Sequence, residues 1–158
     1  MKLYRLGGAA YAHRLDGAGA AIHGARWNPP TVPMIDTAGS RALALLEVLA
    51  HFADHRVLPD DTVVVTYELM GRKGVRYPAR RALPAGWDRK GPPYSQAAQA
   101  YGAAFIASLN VALRVPSAIV PTEWNYLLNP RTLSGRVRIV SVEPFVLDAR
   151  ISALLRKR

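Results

Sequence analysis

Cysteine does not occur anywhere in the 158 residues, so disulfides, thiolate metal sites and thiol nucleophiles are all excluded. Long apolar runs are missing too: nothing approaches the ~18 residues that span a bilayer, and the start carries no basic-plus-hydrophobic leader. A cytoplasmic protein without membrane contact is the expectation. Neither Gly-x-Gly-x-x-Gly nor a Walker loop occurs, which removes support for a Rossmann or P-loop phosphate cradle. Acidic residues are scarce, 11 against 21 Lys and Arg, leaving a formal charge of +10. That excess fits nucleic acid, an anionic small molecule or an acidic protein partner. Without a helix-turn-helix, zinc-finger or RNP pattern to read bases, nucleic-acid binding is the minority choice.

Half of the composition is apolar, enough for one domain with a real core across residues 1–158. The pattern predicts a strand at Lys2 to Leu6, a Gly/Ala-rich loop region through Gly24, a short strand from Val32 to Ile35, and a helix from about Ser40 to Phe52. Asp54 to Asp61 is expected to end that helix. Thr62 to Leu69, rich in β-branched residues, reads as a strand. Met70 to Tyr94 is a basic, Pro-rich connection with few core-forming residues, and Ser95 N-caps a helix reaching to about Asn110, with Gln96, Gln99 and Ser108 on its wet face. Two short strands kinked at Pro116 follow, then Asn125 and Asn129 as turn formers, a strand at Val137 to Val142, and a basic tail. This order is a mixed α+β fold with helices packed on antiparallel-type sheets, not a βαβ repeat.

The helix beginning at Ser40 carries the sharpest signal. It is apolar almost all round, yet Ser40, Ala44, Glu47 and His51 fall along one face. A carboxylate there needs a partner or a wet cleft, because an unpaired buried charge costs several kcal/mol. A structural ion pair with Arg26 is one account of Glu47; a ligand-facing role is the other. Glu47, His51 and His55 at i, i+4 and i+8 lack the His-Glu-x-x-His pattern and a third ligand block, so no metal is expected.

Four blocks in order resemble a known family: Gly24-x-Arg26-Trp27-Asn28; Ser40-x-Ala42-x-Ala44-x-Leu46-Glu47-x-Leu49-x-His51; Val115-Pro116-Ser117; and Asn125-Tyr126-Leu127-Leu128-Asn129-Pro130. They look like the RES domain, named for its Arg, Glu and Ser, whose fold is similar to the ADP-ribosyltransferase toxins. The resemblance implies a toxin that consumes NAD+, handing ADP-ribose to a protein, to water or to phosphate. It also implies an Xre-like antitoxin that blocks the cleft, and a homodimer.

The chemistry suits the residue types. Cleaving the nicotinamide–ribose bond builds an oxocarbenium-like ribose, and a carboxylate such as Glu47 stabilises that charge or orients the nucleophile. A forked guanidinium at Arg26 suits a pyrophosphate. Arg5 is a second phosphate candidate, Ser117 and Asn125 are candidates for ribose or amide hydrogen bonds, and Trp27 or Tyr126 for stacking on a ring. Asn28 and Ser40 join the binding set, and His23 is close enough in sequence to Arg26 to share its cleft. Departures from the family pattern are Asp36 in place of the usual tyrosine, Thr31 and Ala25 in place of glycines. Asp36 adds a second carboxylate where a sugar would sit, which would activate an acceptor or repel phosphate. The alternatives of other classes are an impaired RES domain that only binds its partner, and a basic nucleic-acid-binding protein.

Overall fold

The computed structural model describes residues 1–51 and 58–156. Seven strands form one sheet in the order β4-β5-β6-β2-β1-β3-β7, with β1 at Lys2–Gly8, β2 at Ile35–Ala38, β3 at Thr62–Leu69, β4 at Val75–Arg76, β5 at Ala112–Pro116, β6 at Trp124–Leu128 and β7 at Val137–Pro144. Every pairing is antiparallel except β4 with β5. Among the described residues the four α-helices are α1 (Ala18–His23), α2 (Arg41–His51), α3 (Gln96–Ala107) and α4 (Ala149–Arg156). A mixed α+β domain was the expectation, and this is one.

β3 shows why the sheet forms where it does. Its β-branched run alternates between two cores: Val63, Val65, Tyr67 and Leu69 pack with Leu3, Ile35 and Leu128 on one face, while Val64 meets Leu6, Ala38, Leu43 and Ala44 on the other. Both α2 and α3 lie on that second face. α2 covers β1 and β2, whereas α3 packs Phe105 and Ile106 on Leu113, Val115 and Leu127 of β5 and β6.

Caps fix both helices, Ser95 as expected and Ser40 in addition. The Ser40 hydroxyl accepts from the Leu43 amide at 3.1 Å and Ser95 from the Ala98 amide at 3.3 Å, each satisfying one orphan amide of a helix start. Gln96 is exposed, but Gln99 is not simply wet: its amide donates to the carbonyl of Ala25 at 3.0 Å.

Several expectations are corrected. The short strand starts at Ile35 rather than Val32, because the Val32 carbonyl is taken by the Asn28 side chain at 2.9 Å and Pro33 has no N–H for a ladder. The Gly/Ala-rich region contains α1, nucleated where the Asp16 carboxylate accepts from the Ala18 amide. Ser117 to Pro121 is a turn, since the Ser117 hydroxyl accepts from the amides of Ile119 and Val120, both at 3.0 Å. Asn125 is no turn former: it lies within β6, opposite Ala38 and Val115. Asn129 does cap a turn, accepting from the Arg131 amide. The basic tail contains α4, while the expected end of the central helix at Phe52 and Asp54 to Val57, together with His55, Lys157 and Arg158, lies outside the described residues. Among the described residues no helix is long and apolar enough to cross a membrane.

Candidate active site

β1 and β2 share a single pair, Tyr4 with Ala38, so the sheet is nearly two half-sheets joined at this seam. A cleft of about 250 Å³ opens there. Its walls take Tyr4, Arg5 and Leu6 from β1, Asp36, Thr37 and Ala38 from β2, Glu47, Val48 and His51 from α2, the loop Ala25 to Trp27, and Asn125 and Leu127 from β6.

Glu47 and Arg26 therefore share one cleft, but they do not pair. Glu47 Oε1 accepts from the Ser117 hydroxyl at 2.8 Å and from the Asn125 amide at 2.5 Å. Arg26 donates through one terminal nitrogen to the carbonyls of Trp87 (2.8 Å) and Arg89 (2.6 Å), and its guanidinium lies 5.3 Å from the centre of the Tyr94 ring. The ion pair weighed from the sequence is absent among the described residues; neutral donors hold the carboxylate instead, and main-chain carbonyls hold the cation. Each group keeps its charge uncancelled at the cleft.

Ser117 sits behind this arrangement. It is 0% exposed, and its hydroxyl is saturated by one donation to Glu47 and two amides accepted from the turn that follows. It orients the carboxylate and has no capacity left for a ligand. Asn125 differs, because its Oδ1 is buried at the cleft with no partner among the described residues. An unpaired buried acceptor costs free energy that a donor from a ligand would recover.

Asp36 lines the same cleft and is a solvent-exposed residue there. Desolvation among the surrounding protein atoms raises its carboxyl above the ordinary value, and Glu47 adds to this; Arg5 and His51 pull the other way. Arg5 is half-buried and lines the cleft beside it.

Five sequence candidates are either spent on protein contacts or lie away from the cleft. Asn28 is 0% exposed and its amide is spent on the carbonyls of Ala20 and Val32, both at 2.9 Å, so it shapes the Arg26 loop from inside. Trp27 borders the cleft but is 4% exposed, its ring stacked on Trp87 with centroids 6.1 Å apart, so that face is taken. Ser40 caps α2 and donates to Glu123 at 2.8 Å. Tyr126 points to the opposite sheet face, beside Thr37. His23 is exposed and away from the cleft. Among the described residues no cluster of three His, Cys, Asp or Glu could hold a metal.

Two cleft features escaped the sequence reading. Tyr94 bridges the mouth between Arg26 and His51, its hydroxyl 3.4 Å from His51 Nε2. The carbonyls of Trp87 and Arg89 come from the basic connection, which no local pattern tied to Arg26. His51 was visible as the residue one turn beyond Glu47.

Known proteins resemble this chain over most of its length. The Prs ADP-ribosylating toxin of Sphingobium sp. (strain YBL2) is 38% identical over 147 residues, covering 89% of this chain and 88% of that protein. Toxin Res of Photorhabdus laumondii is 32% identical over 162 residues, covering 96% and 97%. Among solved structures, the crystal structure of the M. tuberculosis MbcT-MbcA toxin-antitoxin complex holds a similar fold, with a TM-score of 0.68 over 99% of this chain and 87% of that one at 23% identity. A family model described as the RES domain matches residues 2–148. With nearly the whole chain inside that match, this protein belongs to the RES domain family.

Proposed function

We propose that this chain is the toxin of a toxin–antitoxin pair, and that it consumes NAD+ by cleaving the nicotinamide–ribose bond and passing ADP-ribose to an acceptor. The observation that carries the reading is the Glu47 carboxylate, fixed through one oxygen by Ser117 and Asn125, in the same cleft as an unpaired Arg26. With Oε1 fixed, Oε2 is the oxygen available to a positively charged ribose. Arg26 would exchange two carbonyls for the pyrophosphate, a stronger pairing because both partners are charged. Arg5 would take the second phosphate or offset Asp36, and the unpartnered Asn125 Oδ1 would accept from a ribose hydroxyl or the nicotinamide amide.

The acceptor is a protein side chain in this reading. Support comes from the name of the Sphingobium relative, an ADP-ribosylating toxin, and from Asp36, whose carboxyl makes the cleft less welcoming to free phosphate. The antitoxin, an Xre-like protein, would cover the cleft; the net charge of +10 speeds its encounter if it is acidic. The MbcT-MbcA toxin-antitoxin complex supports an antitoxin partner.

The test is nicotinamide release from NAD+ by the purified chain, with and without labelled NAD+ and candidate acceptors. Glu47→Gln is expected to lower release by about a hundredfold or more, the usual loss for one charge-stabilising group. Label on protein identifies transfer; turnover with no labelled protein assigns water or phosphate. A second reading, a RES domain that binds its antitoxin without turnover, is favoured by Asp36 alone and is established if the wild type releases no nicotinamide while still binding the partner.

A further inference from the structure

Attack on an oxocarbenium carbon leaves a task that neither Glu47 nor Arg26 performs. A neutral hydroxyl or amine becomes positively charged as it bonds, and its proton must be taken by a group near the mouth of the cleft. His51 lines that cleft one helical turn beyond Glu47. Its Nδ1 lies 2.6 Å from the main-chain carbonyl oxygen of Glu47. A carbonyl only accepts, so Nδ1 carries the hydrogen and the neutral ring keeps its lone pair on Nε2. Nε2 in turn faces the Tyr94 hydroxyl at 3.4 Å, an O–H donor at the mouth. The imidazole is thus held by one hydrogen bond and presents a proton acceptor to an incoming hydroxyl. Among the described residues the charged and titratable groups around it are Asp36 from β2, Glu47 from its own helix and Tyr94, itself stacked under Arg26.

We propose that His51 is the catalytic base of the transfer, taking the proton of the incoming hydroxyl or amine at Nε2, with the Tyr94 hydroxyl marking where that donor arrives. The proposal rests on the NAD+-consuming reading above. In the step, the bond from ribose C1′ to the nicotinamide nitrogen breaks and its electron pair leaves on that nitrogen. A lone pair of the nucleophile forms the new bond to C1′, and the nucleophile's proton passes to Nε2.

Two small nucleophiles separate this role from a structural one. Methanol has a proton to lose, whereas azide attacks as an anion and has none. With purified protein and NAD+, His51→Ala is expected to slow methanolysis about a hundredfold, the lower end for a general base because little charge builds on the nucleophile in a dissociative transition state. Reaction with azide stays within about twofold of wild type, and added imidazole restores methanolysis in the variant. His51→Gln, which keeps a donor and removes the proton acceptor, is expected to show the same contrast if the alanine variant does not fold. Equal losses with methanol and azide, or methanolysis at the wild-type rate, overturn the proposal. A wild type that releases no nicotinamide with either nucleophile overturns the NAD+ reading itself.

Discussion

At the level of single residues, the cleft holds two carboxyls with different supports. Glu47 is held by two donors, whereas Asp36 has no hydrogen-bonding side chain among the described residues and is shifted upward by desolvation. Its effect on stability has a definite sign. Between the ordinary carboxyl value of 3.8 and the raised one, the native state binds more protons than the unfolded chain, so stability falls as pH rises through that window. Above it, ionised Asp36 is a fixed cost. Asp36→Asn is expected to remove this fall and to be the more stable protein at neutral pH, read as urea midpoints measured against pH for both chains. The difference between the two curves isolates Asp36 from the ion-paired carboxylates, which act oppositely: Glu143, lowered to about 2 by the Arg41 fork and Ser141, loses its contribution as pH falls. Much of this site was legible in advance. A lone carboxylate on an apolar helix signals a cleft, and Arg26 beside an indole in a Gly/Pro-rich loop signals a ligand wall. The division of labour was not legible: Ser117 and Asn28 look alike in sequence to ligand contacts, and only the three-dimensional hydrogen bonds show the Ser117 hydroxyl to be saturated and the Asn28 amide N–H groups to be spent on main-chain carbonyls inside the loop.

At the level of elements, the features read correctly are those with a local cause. Thr62 to Leu69 was expected as a strand from its β-branched run, and β3 has those bounds; Ser40 and Ser95 announce helices that they cap. What was missed depends on distant partners. β2 begins three residues later than expected because a side chain from the preceding loop consumes the Val32 carbonyl, and β6 includes Asn125 because its neighbours on both sides are strands. α3 has a similar hidden dependency. Gly102 would read as a weak spot, since alanine at a helix interior is normally better by about 1 kcal/mol. Here an added Cβ would lie 1.7 Å from the Trp27 carbonyl oxygen, so the glycine lets α3 approach the Arg26 loop. Gly102→Ala is expected to destabilise the fold by about 1–3 kcal/mol, the cost of overpacking, against the propensity gain. Chemical denaturation measures the loss. A parallel fall in nicotinamide release at temperatures where the variant remains folded would show the loop displaced with its arginine.

For the whole molecule, the sheet's weakest seam is also where its chemistry collects. Only Tyr4 with Ala38 joins the half-sheets β4-β5-β6-β2 and β1-β3-β7, and α2, packed across both, carries Glu47 over the gap. A dinucleotide in the cleft would touch β1 through Arg5, α2 through Glu47, β6 through Asn125 and the Arg26 loop at once. It would therefore bind the native state and nothing of the unfolded chain, which lacks this convergence. Stability then rises with ligand as RT ln(1 + [L]/Kd), about 2.7 kcal/mol at a hundredfold excess over Kd. NAD+ added to the Glu47→Gln variant, which retains the cleft while turning over slowly, is expected to raise the unfolding midpoint progressively with concentration. With Arg26→Ala in the same background the shift at equal NAD+ is expected to shrink, because the forked cation for the pyrophosphate is gone while the seam is unchanged. A shift of equal size in both chains would place the phosphates elsewhere, on Arg5 or outside the cleft, and would separate recognition of the dinucleotide from the guanidinium that the loop presents.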